Sequence, residues 1–419
     1  MCNVLTISPL VFRPTHHHSK LRFQAYCGIF MGIITRFTTI LWHFGNGAPT
    51  PRPKLVISRD TSISEIAYLP DGRLVTGSHR GIIRIWNLQS GKQEGTSIEQ
   101  ENGVQRLAVT RDGAKIISGG FYGQIEVWDV ESHKLLKAWT HQGIRPMIAL
   151  SSDDQLIAVS GSQLVGIYTA EGEQVNSIEV GTHVCSLSFS PDGNKLACGT
   201  EKDILIYDVN TGTLVLHPLK GHENWIWSVL WSRDGSRLFS ASNDKTIRCW
   251  DSNTGEQIGH PWTGHTDFIS SLSLSPDGTL LASSSFDKTV RFWDTTLGCP
   301  VGQHLQHDTS VYSVCFSPSG EFVVPTVCHG NTNLWRVPRL DSSKSQVMTL
   351  IRSPSLSTLI VLYIQKMSFA SSDAPSHTLF LPPPPYSTHI PSAEQTSDPG
   401  PGVCLNSSWP RAFLMLTLL

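Results

Sequence analysis

Charge is scarce in this sequence, and what there is nearly cancels. Only 16% of the 419 residues are Asp, Glu, Lys or Arg, with 32 basic against 34 acidic side chains and a formal net charge of -2. The basic excess that marks a binder of phosphate backbones is missing, so no nucleic-acid partner is expected. The nine cysteines contain no Cys-x-x-Cys pair, which removes zinc ribbons and dithiol redox motifs. Their number is odd, and most sit in apolar runs such as HVCSLSFS, KLACGT and YSVCFS. They read as buried, reduced thiols in a cytoplasmic setting, with a nuclear one left open. No G-x-x-x-x-G-K-[ST] phosphate loop occurs; HGNTN and GSHRG are turn sequences. His16, His17 and His18 have no carboxylate or thiol at ligand spacing, so neither a metal nor a cofactor is expected. Long apolar runs are lacking too. Phe23 to Phe44 is broken by Arg36 and several polar residues, and Leu356 to Ile364 is too short for a bilayer of roughly 30 Å. The flanking charges fit neither a membrane span nor a signal peptide. Asn406-Ser407-Ser408 fits a glycosylation sequon but is idle without secretion.

What the sequence does have is repetition. An aromatic residue recurs at Trp86, Trp128, Tyr168, Tyr207, Trp250, Trp293 and Trp335, at intervals of 39 to 43 residues. A turn precedes each: Asp71-Gly72, Asp112-Gly113, Asp153-Asp154, Asp192-Gly193, Asp234-Gly235, Asp277-Gly278 and Ser319-Gly320. Two independent markers share one period. Each unit reads as short strands joined by tight turns, as in IWSVLW, SRDGS, RLFSAS, NDK and TIRCWD, with a fourth strand in EQIGHPW. Asp-Gly suits such hairpins because glycine takes positive φ without steric cost. Four antiparallel strands per unit of about 40 residues make a propeller blade. The sequence therefore predicts an all-β, seven-bladed propeller. The last unit lacks a clear fourth strand, and the orphan run Lys54 to Ser58 (KLVIS) stands ahead of the first.

These residues resemble the WD-repeat (WD40) family across about residues 55 to 338. Gly221-His222 with Trp250-Asp251, and Gly264-His265 with Trp293-Asp294, carry its full pattern. The other units are eroded. The resemblance implies that the N-terminal strand KLVIS completes the seventh blade and closes the ring. It also implies that His222, Ser240, Asp244 and Trp250, and likewise His265, Ser283, Asp287 and Trp293, are structural hydrogen-bonded tetrads. Repetition at one period is what stability needs and a single active site does not, so no catalytic residue is assigned. Arg80, Tyr122, Ser162 and His329 stand at the tetrad Asp position of other blades, which are expected to be looser.

The resemblance further implies a binding rim at Trp225, Trp227 and Asn243 in blade five, Phe268, Ser270 and Phe286 in blade six, Tyr312 in blade seven and Phe121 in blade two. Aromatics suit interface anchors because they bury large area with few rotors; packing between blades is the alternative for Trp227 and Phe268. The expected organisation is a poorly ordered or weakly hydrophobic extension over 1–50, a propeller over 51–340 and a Ser/Pro-rich, disordered tail over 341–419. The tail holds Leu381 to Tyr386 (LPPPPY), whose Pro383, Pro384 and Tyr386 match a P-P-x-Y ligand of WW domains. The functional expectation is a non-catalytic scaffold or adaptor binding proteins or peptides on the rim. The alternatives are a membrane-tethered or secreted propeller, resting on Phe23 to Phe44, and an enzyme working in the propeller channel.

Overall fold

Seven copies of one turn organise the chain. In each, a backbone N–H bonds back to the carbonyl three residues earlier: Gly72 to Leu69, Gly113 to Thr110, Asp154 to Ser151, Gly193 to Ser190, Gly235 to Ser232, Gly278 to Ser275 and Gly320 to Ser317. Six of these positions are glycines at φ between 72° and 92°; Asp154 reaches φ 60° without that freedom. A hydroxyl two residues ahead of the turn Asp locks five of them, as in Ser232 Oγ to Asp234 Oδ1 at 2.6 Å and Ser275 Oγ to Asp277 Oδ1 at 2.6 Å. Hydrogen bonds from Ser232 and Ser236 hold the Asp234 carboxyl down at about 2.

The computed structural model describes residues 53–58, 63–327 and 332–338. The expectations for 1–50, for the tail from 341, for His16 to His18, for His329, for Asn406 and for Pro383, Pro384 and Tyr386 lie outside the described residues. Within them the chain is a seven-bladed β-propeller of antiparallel blades. The blades begin with the strands Ile63–Tyr68, Val104–Val109, Ile148–Leu150, Ser186–Phe189, Ile226–Trp231, Ile269–Leu274 and Val311–Phe316. Each of these first strands lies against the next, and Ile63–Tyr68 meets Val311–Phe316, so the ring is closed. The outer strand of blade five is reduced to bridges from Ile247 to Trp262 and Trp250 to Gln257.

Closure follows the expected device. Leu55–Ser58 pairs antiparallel with Thr332–Arg336, matching Leu55 to Leu334 and Val56 to Asn333. Lys54 N adds a 2.7 Å bond to Leu334 O. The fourth strand of the last blade thus comes from the other end of the domain.

Apolar side chains pack at the junctions between blades. Seven buried clusters fill seven junctions; the one between blades four and five, for example, joins Ile204, Ile206, Ile226, Val229, Leu238 and Trp250. At about 1.5–3 kcal/mol for each fully buried large aliphatic side chain, these junctions dominate stability. A polar relay runs inside them along the first strands. Ser186 Oγ accepts from Val229 N, Ser228 Oγ from Leu272 N and Ser273 Oγ from Phe316 N. It crosses the seam where Ser313 Oγ donates to Glu65 Oε1 at 2.7 Å. Glu65 in turn pairs with Arg106 at 2.7 Å.

Candidate interaction site

The strands Arg237–Ser242 and Leu280–Ser285 each place a serine inward at their fourth position. His222 Nε2 lies 2.7 Å from Ser240 Oγ, and His222 Nδ1 lies 2.7 Å from Asp244 Oδ2. Trp250 Nε1 donates to the same Ser240 Oγ at 2.8 Å. Blade six repeats this with His265, Ser283, Asp287 and Trp293 at 2.7 to 2.8 Å. Asp244 also accepts from Thr246 N and Oγ1. Burial works against the charge of both carboxylates, but the histidine and threonine donors hold them well below the usual range. Burial lowers the His265 pKa, against the pull of Asp287. Both serines are fully buried, and each hydroxyl already holds a Trp N–H and a His nitrogen. They bridge loop to strand and present no nucleophile to a substrate. His222→Ala or Asp244→Ala is expected to lower stability by about 1–3 kcal/mol by orphaning a buried partner. Unaltered melting of both variants would remove the tetrad from the stability account.

The eroded blades keep parts of this chain, and one part was not anticipated. In blade two, Trp128 Nε1 donates to Ser118 Oγ at 3.0 Å, and Ser118 Oγ donates to Gln100 Oε1 at 2.6 Å. Gln100 stands where blades five and six have histidine. The signal was a spacing: Gln100 precedes Ser118 by 18 residues, as His222 precedes Ser240 and His265 precedes Ser283. Blade one keeps only Trp86 Nε1 to Thr76 Oγ1 at 2.9 Å. In blade three, Tyr168 Oη lies 2.8 Å from His141 Nδ1. Arg80, Tyr122 and Ser162 make no tetrad contact, and Tyr122 is 70% exposed at φ 62°.

Blade seven is the broken one. His307 and Trp335 meet edge to face at 5.1 Å, but Pro325 occupies the serine position. Trp335 Nε1 and His307 Nε2 are buried with no partner, and burial pushes the His307 pKa down to about 4. The bond from Val337 N to Glu321 O sets the ladder parity, so the backbone of residue 325 faces the third strand, where proline offers no N–H. That ladder records two pairs, Phe322 with Arg336 and Val323 with Trp335, against five in blade five. Pro325→Ser supplies both the hydroxyl and the N–H, and is expected to raise stability by about 1–3 kcal/mol. A fall in melting temperature would overturn this account of blade seven.

The rim residues form two clusters and an outlier. On blade five, the Trp225 and Trp227 rings stack at 6.0 Å and 20°, with His183 edge-on to Trp225 at 5.5 Å. Trp227 Nε1 donates to Asn243 Oδ1 at 2.5 Å, and Asn243 N bonds Trp225 O at 2.9 Å. Across blades six and seven, Phe286 touches Phe268 at 6.2 Å and Tyr312 at 5.3 Å. Phe286 N bonds Phe268 O at 2.9 Å, while Ser270 Oγ donates to Val311 O at 2.7 Å. Trp227, Phe268 and Tyr312 are 37%, 40% and 38% exposed, over half-buried Trp225 and Phe286. Phe121 stands apart, against Tyr122 in blade two.

Comparison with known proteins agrees with this geometry. The family model described as WD domain, G-beta repeat matches residues 53–87, 172–208, 213–251, 255–294 and 298–336. The structure adds blades two and three in the intervening stretch. The chain is 31% identical over 148 residues to WD repeat-containing protein SL1-17 of Schistosoma mansoni, covering 34% of this chain and 48% of that protein. It is 26% identical over 243 residues to the Ribosome biogenesis protein WDR12 homolog of Brugia malayi, covering 48% and 55%. To Small ribosomal subunit protein RACK1y of Oryza sativa subsp. japonica it is 30% identical over 139 residues, covering 31% and 41%. The chain thus spans less than two thirds of these relatives. With the repeat, the seven blades and the tetrads of blades five and six in agreement, the chain belongs to the WD-repeat (WD40) family of β-propellers.

Proposed function

We propose that this chain is a non-catalytic protein-interaction platform whose partner docks on the rim of blades five to seven. The observation that carries this reading is the open placement of Trp227, Phe268 and Tyr312 on three consecutive blades. Two of those blades have intact tetrads, and a loop held still loses less entropy on binding. Isolated apolar residues on a surface are ordinary, whereas clusters of partly exposed aromatics on adjacent blades fit a contact surface. The relatives named for a ribosomal subunit and for ribosome biogenesis fit a role within assemblies. The folding unit of the platform is residues 51–340. Burial pushes the Cys185 and Cys249 thiols up to about 12 and about 11, which suits inert sulfur in a cytoplasmic setting. A WW-domain contact at Pro383, Pro384 and Tyr386 is a separate, sequence-borne candidate. The test is a pull-down with wild type and the Trp225→Ala/Phe268→Ala double variant side by side. Recovery of the same partners in the same amounts by a normally folded variant would move the site elsewhere.

A further inference from the structure

The outer edges of the blades are not alike. In blades four, five and six, Pro218, Pro261 and Pro300 interrupt the outer segment, and what pairs is Leu219–Lys220, bridges at Gln257 and Trp262, a bridge at Pro300 and Leu305–Gln306. Proline and short edge strands are the usual protection against strand addition. Blades one, two and three lack it: their outer strands are Lys92–Glu99, Leu135–Thr140 and Gln174–Glu179, without proline. Lys92–Glu99 carries Lys92, Glu94 and Glu99, whereas Leu135–Thr140 and Gln174–Glu179 carry one charge each, Lys137 and Glu179.

Leu135–Thr140 is also the most open. Leu135 and Leu136 are 48% and 51% exposed. The bond from His141 N to Gly123 O sets its parity. With Gln124 opposite Thr140 and Glu126 opposite Ala138, the backbones of Ala138 and Thr140 point away from the blade. Beside this edge lies a pocket of about 340 Å³, lined by Asn102, Phe121, Tyr122, Gln124, Trp139 and the edge residues Ala138 and Thr140. Tyr122 holds a left-handed backbone at its mouth, a conformation that costs a bulky residue energy.

We infer that blade two is a second docking surface, which takes an extended strand of another polypeptide as a fifth strand. The outward N–H and C=O groups of Ala138 and Thr140 are matched by a β-strand and by no other backbone form. Alternate side chains of the added strand fall on one face, so one large apolar side chain enters the aromatic-lined pocket while its neighbours cover Leu135 and Leu136. The lone Lys137 favours an acidic residue across the new pair. This surface is separate from the rim of blades five to seven, and either can fail without the other.

The probe is a fluorescein-labelled decapeptide of alternating Val and Glu with one central Phe, titrated into the full chain by anisotropy. A control peptide is N-methylated at alternate residues on its pairing edge. The expected result is saturable binding that weakens by about tenfold or more with the methylated peptide. Ala138→Pro removes only an outward N–H and is expected to abolish binding with melting retained. Leu136→Glu, which leaves the backbone alone, removes an apolar contact and sets a like charge against the acidic peptide, is expected to weaken binding and decides the matter if the proline variant fails to fold. No binding by wild type, or equal binding of both peptides, overturns the inference. So does a chain that self-associates through this edge and becomes monomeric on Ala138→Pro, which would make the occupant a second copy.

Discussion

Deleting residues 51–58 will cost the propeller about 3–5 kcal/mol and lower its melting temperature by roughly 10 °C or more. The segment supplies the Leu55–Ser58 strand and the 2.7 Å bond from Lys54 N to Leu334 O. Without it, Thr332–Arg336 becomes an outer edge carrying unmatched backbone groups and buried Leu334 and Trp335. An exposed strand edge of this kind also recruits other chains, so the variant is expected to aggregate on heating. The same strand is joined to its inner neighbour by only two recorded pairs, and blade seven has little cohesion of its own to fall back on. Removal of residues 341–419 is the control and is expected to leave melting unchanged. Scanning calorimetry on the two deletions and the full chain makes the comparison. Equal melting of all three would mean that the ring does not need this strand.

The Trp225→Ala/Phe268→Ala variant will bind its partner more weakly by thirtyfold or more, since one true anchor contributes about 2 kcal/mol and every 1.4 kcal/mol is tenfold. Its fold is expected to survive. Phe268 is 40% exposed, and the loop that carries it is held by backbone, through Phe286 N to Phe268 O. Trp225 is the harder case, because Trp227 stacks on it. Loss of the lower ring lets Trp227 drop, which adds to the binding loss. The readout is melting first, then titration with the partner recovered by wild type. A variant that melts early and binds nothing would show the rings to be packing residues, and single Phe268→Ala would then decide binding.

The repeat was legible because it is written twice, in the turns and in the aromatics, at one period. Ring closure by KLVIS was legible for a similar reason: the last unit was one strand short and the first had one strand spare. The Gln100 chain of blade two was not, since glutamine supplies the same acceptor as histidine without the Gly-His signature. The consequence of Pro325 was hidden as well. Its position is visible in FVVPTV, but the cost depends on His307 and Trp335 arriving on either side of it, which is a fact of packing. For the rim aromatics, sequence alone could not tell an open ring from a packed one. Trp225 and Phe286 proved half-buried under Trp227, Phe268 and Tyr312. The outer strand of blade five read as a full strand and is two isolated bridges, because Ile258 N bonds Cys249 O and Trp262 N bonds Ile247 O, so that residues 259 to 261, with Gly259 at φ 69°, bulge out opposite Arg248.

A ring has no ends at which to fray, so it opens where its weakest joint allows. Here that joint is blade seven, with a proline in its middle strand, two orphaned ring nitrogens and a borrowed outer strand. Amide protons of Val311–Phe316 and Phe322–Val327 should therefore exchange with solvent through local opening well before those of blades five and six. The Ser313–Glu65–Arg106 relay spans the same seam and is expected to act as a latch: while it holds, the circle is a rigid washer, and when it lets go, the molecule becomes a split one that springs slightly apart at blade seven while the other blades stay folded.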